Sequence, residues 1–178
     1  MTSPHDQSQY QVRFDWGLEG ARTVASDVDV VVLVDVLSAP SAPVVPDLRA
    51  AVIVGDFSNG TAVAEWVLAR QAEKGDRFAV AVIASGAPRS DGSLRFAVED
   101  LLCAGAIVDA LAAVGIDYCS PEAAAACAAF TGLRGAVAHL VSASASGKEL
   151  LARDPETDFG AIATIDSSNE VPILKEYR

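Results

Sequence analysis

Positively charged residues are scarce in this chain of 178 residues. Its 13 Lys and Arg residues stand against 24 Asp and Glu residues, which gives a formal net charge of −11 at pH 7. Nucleic acids and anionic membranes both need clustered Lys and Arg residues, which displace their counterions on binding. We therefore expect no nucleic acid and no membrane among the partners, and we expect a small molecule or another protein instead.

Cysteine and histidine are scarcer still. The cysteines Cys103, Cys119 and Cys127 are odd in number and lack CxxC spacing, so the sequence favours neither a disulfide framework nor a zinc site. We interpret them as reduced thiols of a cytoplasmic protein, and the first residues show no signal-peptide pattern. The two histidines, His5 and His139, lie in a polar segment and in an apolar run. We expect His139 to be a core or near-core residue rather than a base, and we expect no catalytic Ser-His or Cys-His pair.

Apolar residues make up 51% of the chain, and no uninterrupted apolar run approaches the length of a membrane span. This amount of apolar material is enough for one sizeable core, so we expect a single domain over residues 1–178, with residues 1–12 as a flexible tail. The predicted elements are strands at 28–34, 50–54, 77–84, 136–141 and 160–165, and helices at 62–73, 91–111, from 120 onward and 148–153. Their alternation predicts an α/β fold, a three-layer α/β/α sandwich around a mostly parallel or mixed sheet.

Polar side chains follow the end of each predicted strand. They are Asp35 and Ser38; Asp56, Ser58, Asn59 and Thr61; Ser85, Arg89 and Asp91; Ser142, Ser144 and Ser146; and Asp166, Ser167 and Ser168. The carboxyl ends of parallel strands share one edge of a sheet, where ligands generally bind and where helix N-termini favour anions. The Asp residues would repel an anion unless a divalent cation such as Mg²⁺ bridged them to it. The pattern predicts a Mg²⁺-assisted site for a small anion, although the same residue types are common in ordinary loops and helix caps.

An adjacent pair of acidic residues, Glu99 and Asp100, interrupts the apolar stretch DGSLRFAVEDLLCAGAIVDAL, which begins at Asp91. Arg95 stands four residues before Glu99, a spacing that allows an ordinary ion pair on a helix surface. Helical geometry also places Glu99 on a flank of small residues, where it could face inward. The sequence leaves both interpretations open.

Two short motifs resemble known sites but lack what their chemistry requires. The segment from Gly55 to Thr61 has two glycines at P-loop separation but no Lys to reach the phosphates. The pair Asp27 and Asp29 resembles a two-aspartate phosphatase motif, yet it precedes its strand and should lie at the opposite edge of the sheet. Neither motif is taken as a functional site.

Four blocks of the sequence, in this order, resemble the 2-phosphosulfolactate phosphatase family, the ComB-like proteins: VVLVDVLSAP, FSNGTAVAEW, the stretch DGSLRFAVEDLLCAGAIVDAL, and SASGKELLARDPETDFGAIATIDSSNEVPIL. The resemblance spans most of residues 28–174 and is most specific at the acidic pair followed by Ala-Gly-Ala. It implies a Mg²⁺-dependent phosphatase that releases phosphate from 2-phosphosulfolactate or a related phosphorylated hydroxy acid, on a three-layer α/β/α fold.

The resemblance also implies roles for individual residues. Asp35 and Glu99 would be the catalytic residues, and together with Asp100 they would hold the metal. The residues expected to bind the phosphorylated substrate are Ser58, Asn59, Thr61, Arg89 and Arg95.

The chain departs from the family pattern after Asp35. Family members carry Arg and consecutive Thr residues there, whereas this chain has the proline-rich segment 38–43 and then passes almost directly to its second strand. A central section with phosphate-cradling turns is missing. The alternative to a phosphatase is therefore a noncatalytic relative that binds a small anion or a protein partner. The loss of that section would also expose a sheet edge, so we expect a homo-oligomer.

Overall fold

The computed structural model describes residues 3–38 and 48–176. The strands are β1 (Val12–Trp16), β2 (Val30–Val34), β3 (Ala51–Gly55), β4 (Val80–Ala84), β5 (Ala87–Pro88), β6 (Leu94–Arg95) and β7 (Ile173–Lys175). The helices are α1 (Gly17–Val24), α2 (Gly60–Lys74), α3 (Val98–Ala113), α4 (Pro121–Leu133), α5 (Val137–Ala143), α6 (Ala145–Arg153) and α7 (Phe159–Ile162). Single 3-10 turns occupy Pro4–Asp6 and Arg134–Ala136.

Five strands form one sheet in the order β1-β4-β2-β3-β7. The first four are parallel, and β7 runs antiparallel to β3. The predicted α/β fold with a mostly parallel, mixed sheet is therefore confirmed. Every residue of β2, β3 and β4 is buried, which explains why their sequences are nearly continuous apolar runs.

Helices cover both faces of the sheet. Val30, Val32 and Val34 of β2 face a core that α2, α3 and α4 complete. Val31 and Leu33 point the other way, into a smaller core beneath α1. The alternation of side chains along each strand thus divides the apolar residues between two layers of helix.

The sequence prediction missed β1 and α1. In β1 the buried side chains of Val12 and Phe14 alternate with the charged residues Arg13 and Asp15. Arg13 is only 2% exposed, and its guanidinium group donates a hydrogen bond of 3.0 Å to the carbonyl oxygen of Val24, where α1 ends. A cation at this end of a helix satisfies backbone carbonyl groups that lack partners within the helix. The charged residues that obscure this strand therefore anchor the helix that follows it.

Residues 3–11, in the segment expected to be a flexible tail, lie against the outer edge of β1. The side chain of Gln7 accepts a hydrogen bond from the backbone nitrogen of Phe14 and donates one to its carbonyl oxygen, both at 3.0 Å. The Gln7 amide thereby takes the place of a neighbouring strand and blocks the edge to further pairing. The flexibility of the segment stays a prediction.

Two strands predicted in the C-terminal part of the chain are wrong. Of the residues predicted as a strand at 136–141, Ala136 ends a 3-10 turn and the others belong to α5, in which Val137 and Val141 are buried. His139 is exposed, so the prediction that it is a core or near-core residue is also wrong. The stretch predicted as a strand at 160–165 contains α7. Short apolar runs fit a buried strand and a helix equally well, and the spacing of four between the two valines marks the helical face.

The proline-rich segment 38–48, predicted as a loop, lies mostly outside the described residues. One helical stretch of the described chain, Pro121–Ala143, has the length and apolar composition of a membrane span, and 22% of its most apolar window is buried. The 3-10 turn at Arg134–Ala136 interrupts it. Length and composition are a weak sign, and the expected absence of a membrane partner stays a prediction.

A close helix crossing joins α3 to α4 at Gly105. A Cβ atom added to Gly105 would lie 2.8 Å from the Cβ of Phe130 and would overlap the backbone oxygen of Ala126. The absence of a side chain therefore lets the two helices touch through their backbones. This contact fixes α3, whose first turn carries the acidic pair Glu99 and Asp100.

We expect Gly105→Ala to lower the free energy of unfolding by about 3 kcal/mol or more, because the added methyl group overpacks a backbone contact. Gly132→Ala is the matched control, since a Cβ at Gly132 in α4 meets nothing within 4 Å and should gain up to about 1 kcal/mol of helix propensity. Urea unfolding of both variants measures the difference. Equal stabilities would contradict the close crossing.

Candidate active site

A cavity of about 110 Å³ opens at the carboxyl edge of the parallel strands. Its walls are the loop after β2, the loop after β4, the first turn of α3 and one side of α6. The charged residues that line it are Asp35, Glu99, Asp100, Glu149 and Arg153. The predicted convergence of Asp35 with the acidic pair at one sheet edge is thus present in the structure.

Asp100 joins two loops of the cavity wall. Its side chain is 2% exposed, and its two carboxyl oxygens accept hydrogen bonds from the backbone nitrogens of Val36, at 3.0 Å, and Gly86, at 2.8 Å. These residues follow β2 and β4, which are neighbours in the sheet. One buried carboxyl group therefore sets the spacing of the two loops.

The groups around Asp100 have opposite effects on its pKa. Burial raises the pKa of Asp100 from its ordinary 3.8 to about 7, and the nearby carboxylates of Asp35 and Glu99 add to this. The backbone hydrogen bonds from Val36 and Gly86 act in the other direction, because they stabilise the charged form. Burial outweighs them, so a proton is bound or released near neutral pH.

Glu99 faces inward and does not form a surface pair with Arg95, which decides between the two interpretations that the sequence left open. Its side chain is 3% exposed, and its buried Oε2 atom has no hydrogen-bond partner among the described residues. Arg95, the residue that could have paired with it, contacts Glu149 and Ser146 instead. A buried carboxylate oxygen without a partner is costly unless a cation or donor satisfies it, so this atom indicates a binding position.

Asp35 follows β2 directly and reaches the same cavity, where it is partly exposed. Burial raises the pKa of Asp35, hydrogen bonds from Ser38 and Ser85 lower it, and the negative charge of Glu99 raises it again. In the cavity that both residues line, the charge of Glu99 therefore repels the charged form of Asp35. A cation between them would remove this repulsion.

The fit of these carboxylates to Mg²⁺ depends on how many are available. Among the described residues no group of three or more His, Cys, Asp and Glu side chains is arranged to hold a metal ion. Both oxygens of Asp100 are engaged with backbone amides, which leaves Asp35 and Glu99. Mg²⁺ commonly takes one or two carboxylates and completes its shell with water and phosphate oxygens, so this pair fits it. Ligation by Asp100 stays a prediction.

None of the five residues predicted to bind substrate lines the cavity. The side-chain nitrogen of Asn59 donates to the carbonyl oxygens of Val54 and Glu170, each at 3.1 Å, so it fastens the end of the chain to β3. Thr61 is exposed. Two others make local contacts: the hydroxyl of Ser58 donates to Asp56, and Arg89 donates to the carbonyl oxygen of Leu94 across the β5-β6 hairpin. The fifth, Arg95, contacts Glu149 and Ser146 at the rim.

The sequence prediction missed the contribution of α6 to the cavity. Ser144 caps this helix by accepting a hydrogen bond from the backbone nitrogen of Gly147 at 2.9 Å. Ser146, Glu149 and Arg153 then line the cavity from one face, at helical spacings of three and four. That spacing was visible in the sequence, but the segment before residue 148 was expected to be a loop after a strand.

The raised pKa of Asp100 makes the stability of the fold depend on pH. The folded state holds this proton more tightly than the unfolded state, so stability is greatest below pH 4 for this group and is lost as pH rises toward 7. We expect a loss on the order of 3 kcal/mol over this range, most of which should vanish in Asp100→Asn. Urea unfolding across pH 4 to 8 measures it.

Asp117→Asn is the control for this measurement, because Asp117 is exposed and far from the carboxyl cluster in sequence. It should keep the pH slope of the parent chain. A slope in Asp100→Asn equal to that of the parent would contradict the assignment of the near-neutral proton to Asp100.

One family model, described as 2-phosphosulpholactate phosphatase, matches residues 45–177. The matched residues include Glu99, Asp100 and α6, whereas β2 and Asp35 precede them. None of the curated proteins is similar enough to match. Because the match covers well over half of the chain and bears out the resemblance found in the sequence, the chain belongs to the 2-phosphosulpholactate phosphatase family.

Proposed function

We propose that the chain is a Mg²⁺-dependent phosphatase acting on 2-phosphosulfolactate or a related phosphorylated hydroxy acid. Family membership supports a phosphoric monoester hydrolase. One observation supports both the bound metal and the location of the site. The Oε2 atom of Glu99 is buried without a partner in a cavity that Glu99 shares with Asp35. Two carboxylates with no cation between them would repel a phosphate, so the site needs a divalent ion to bind one.

Mg²⁺, when bound, would neutralise phosphate oxygens and lower the pKa of a water molecule that attacks phosphorus. Asp35 and Glu99 would hold it, each through a carboxylate oxygen. Asp100 would keep the loops that carry Val36 and Gly86 at a fixed spacing, since it receives a hydrogen bond from each. Arg153, at the α6 side of the cavity, would bind an anionic group of the substrate.

The substrate proposed here is a small phosphorylated molecule, in agreement with a cavity of about 110 Å³. We further propose a cytoplasmic homo-oligomer that binds neither nucleic acid nor membrane. The cytoplasmic location is supported by the free thiols of Cys103, Cys119 and Cys127. The net charge of −11 supports the exclusion of polyanionic partners.

The second candidate is a noncatalytic relative that binds a small anion or a protein partner. The observation in its favour is the shortage of phosphate donors at the cavity. Four of its five charged lining residues are acidic, and Ser58, Asn59 and Thr61 do not line it. A phosphoryl-transfer transition state needs several such donors.

We expect Mg²⁺-dependent release of phosphate from 2-phosphosulfolactate, and no release in EDTA. Asp35→Asn and Glu99→Gln should each lower kcat/KM at least about a hundredfold, because either change removes a charged ligand of the metal. A panel of other phosphorylated hydroxy acids, assayed by phosphate release, defines the substrate range.

Glu65→Gln is the matched control, since Glu65 is an exposed carboxylate on α2 away from the cavity. It should retain full activity. If the folded protein releases no phosphate from any substrate of the panel with Mg²⁺, the phosphatase proposal fails and the noncatalytic candidate takes its place.

A further inference from the structure

Two arginines stand at the α6 side of the cavity, and they differ in their contacts. Arg153 lines the cavity and forms no ion pair with the described residues. Arg95, on β6, donates to Glu149 and to Ser146, each at 3.4 Å. Both partners of Arg95 line the cavity, although Arg95 does not. The second arginine is therefore held at the rim by the residues that a ligand would meet.

The ion pair between Arg95 and Glu149 is weak, so another anion could displace Glu149. Its contact of 3.4 Å is long for a charged hydrogen bond, and the Glu149 side chain is 64% exposed. Exposed pairs of this kind contribute little to stability, so breaking one costs little. A phosphate dianion carries more negative charge than one carboxylate. Two of its oxygens can accept hydrogen bonds from the same guanidinium group.

We propose that Glu149 competes with the bound anion for Arg95. When a phosphate enters the cavity, the guanidinium group of Arg95 leaves Glu149 and donates to the phosphate oxygens. Glu149 then returns to water, and its negative charge no longer has a partner at the rim. The affinity of the cavity for phosphate is therefore set by Glu149 through Arg95, a proposal that rests on the phosphatase function above.

A titration with inorganic phosphate in the presence of Mg²⁺, followed by calorimetry, tests this competition. Glu149→Gln should bind phosphate about two- to fivefold more tightly, since Arg95 is released from a weak exposed pair. Arg95→Gln should bind about tenfold more weakly, because it removes a charged donor. If the pair only fastened the hairpin to α6, both variants would weaken binding alike.

The double variant separates competition from a general change in charge. In the Arg95→Gln background, Glu149→Gln should give no more gain than Glu156→Gln, which removes an exposed carboxylate with no arginine partner among the described residues. Two results overturn the proposal. In the first, Glu149→Gln raises the phosphate affinity of the parent chain no more than Glu156→Gln does. In the second, the gain in affinity from Glu149→Gln persists in the Arg95→Gln background. So does the absence of phosphate binding in both the parent and Glu149→Gln.

Turnover supplies an independent measurement. In an active enzyme, Glu149→Gln should lower KM about as much as it tightens phosphate binding, and this effect on KM should vanish in the Arg95→Gln background. If binding shows the competition but no substrate is hydrolysed, the phosphatase proposal fails and the competition stands. If substrate is hydrolysed and the double variant shows no coupling, the competition alone fails.

Discussion

The carboxyl group of Asp100 is the constraint on which the candidate site depends. It accepts one backbone hydrogen bond from the loop after β2 and one from the loop after β4, so it fixes the gap between two neighbouring parallel strands at their carboxyl ends. Burial at this position raises its pKa to about 7, which means that the protein keeps a costly acidic group here. The backbone nitrogens of Val36 and Gly86 belong to loops in the wall of the open cavity, where they have few other partners. The carboxyl group of Asp100 satisfies both.

The rest of the site follows from this position. The first turn of α3 must sit against the sheet edge, and the close backbone contact at Gly105 holds the helix there. Glu99, the preceding residue, is then carried into the cavity with its Oε2 atom buried and unpartnered. Asp35 meets it from the end of β2, and α6 closes the opposite side with Glu149. Four of the five charged residues that line the cavity are acidic, and in the proposed function a divalent cation would offset their charge.

The sequence predicted the parts of this arrangement that rest on strong local patterns. The continuous apolar runs of β2, β3 and β4 identified the sheet, and the rule that ligands bind at carboxyl ends placed Asp35 at its edge. The family resemblance added the acidic pair to that edge. The sequence prediction failed where charged residues or local composition obscured the spacing of the apolar residues. Arg13 hid β1, although apolar and charged residues alternate there. The run AVAHLV fits a strand and a helix equally well, and its assignment to a strand concealed the start of α6, although a helix was predicted from residue 148. Whether Glu99 faced inward depended on tertiary packing, which no local pattern contains.

The most direct test of this account is the position of a cation in the crystal. Crystals of the protein soaked with Mn²⁺, which takes the same oxygen ligands as Mg²⁺ and scatters anomalously, should show an anomalous peak in the cavity. The account predicts a peak within coordination distance of Glu99 Oε2 and a carboxylate oxygen of Asp35, with both hydrogen bonds to Asp100 retained. A cavity without a peak at saturating Mn²⁺, or a peak that contacts neither carboxylate, would contradict it.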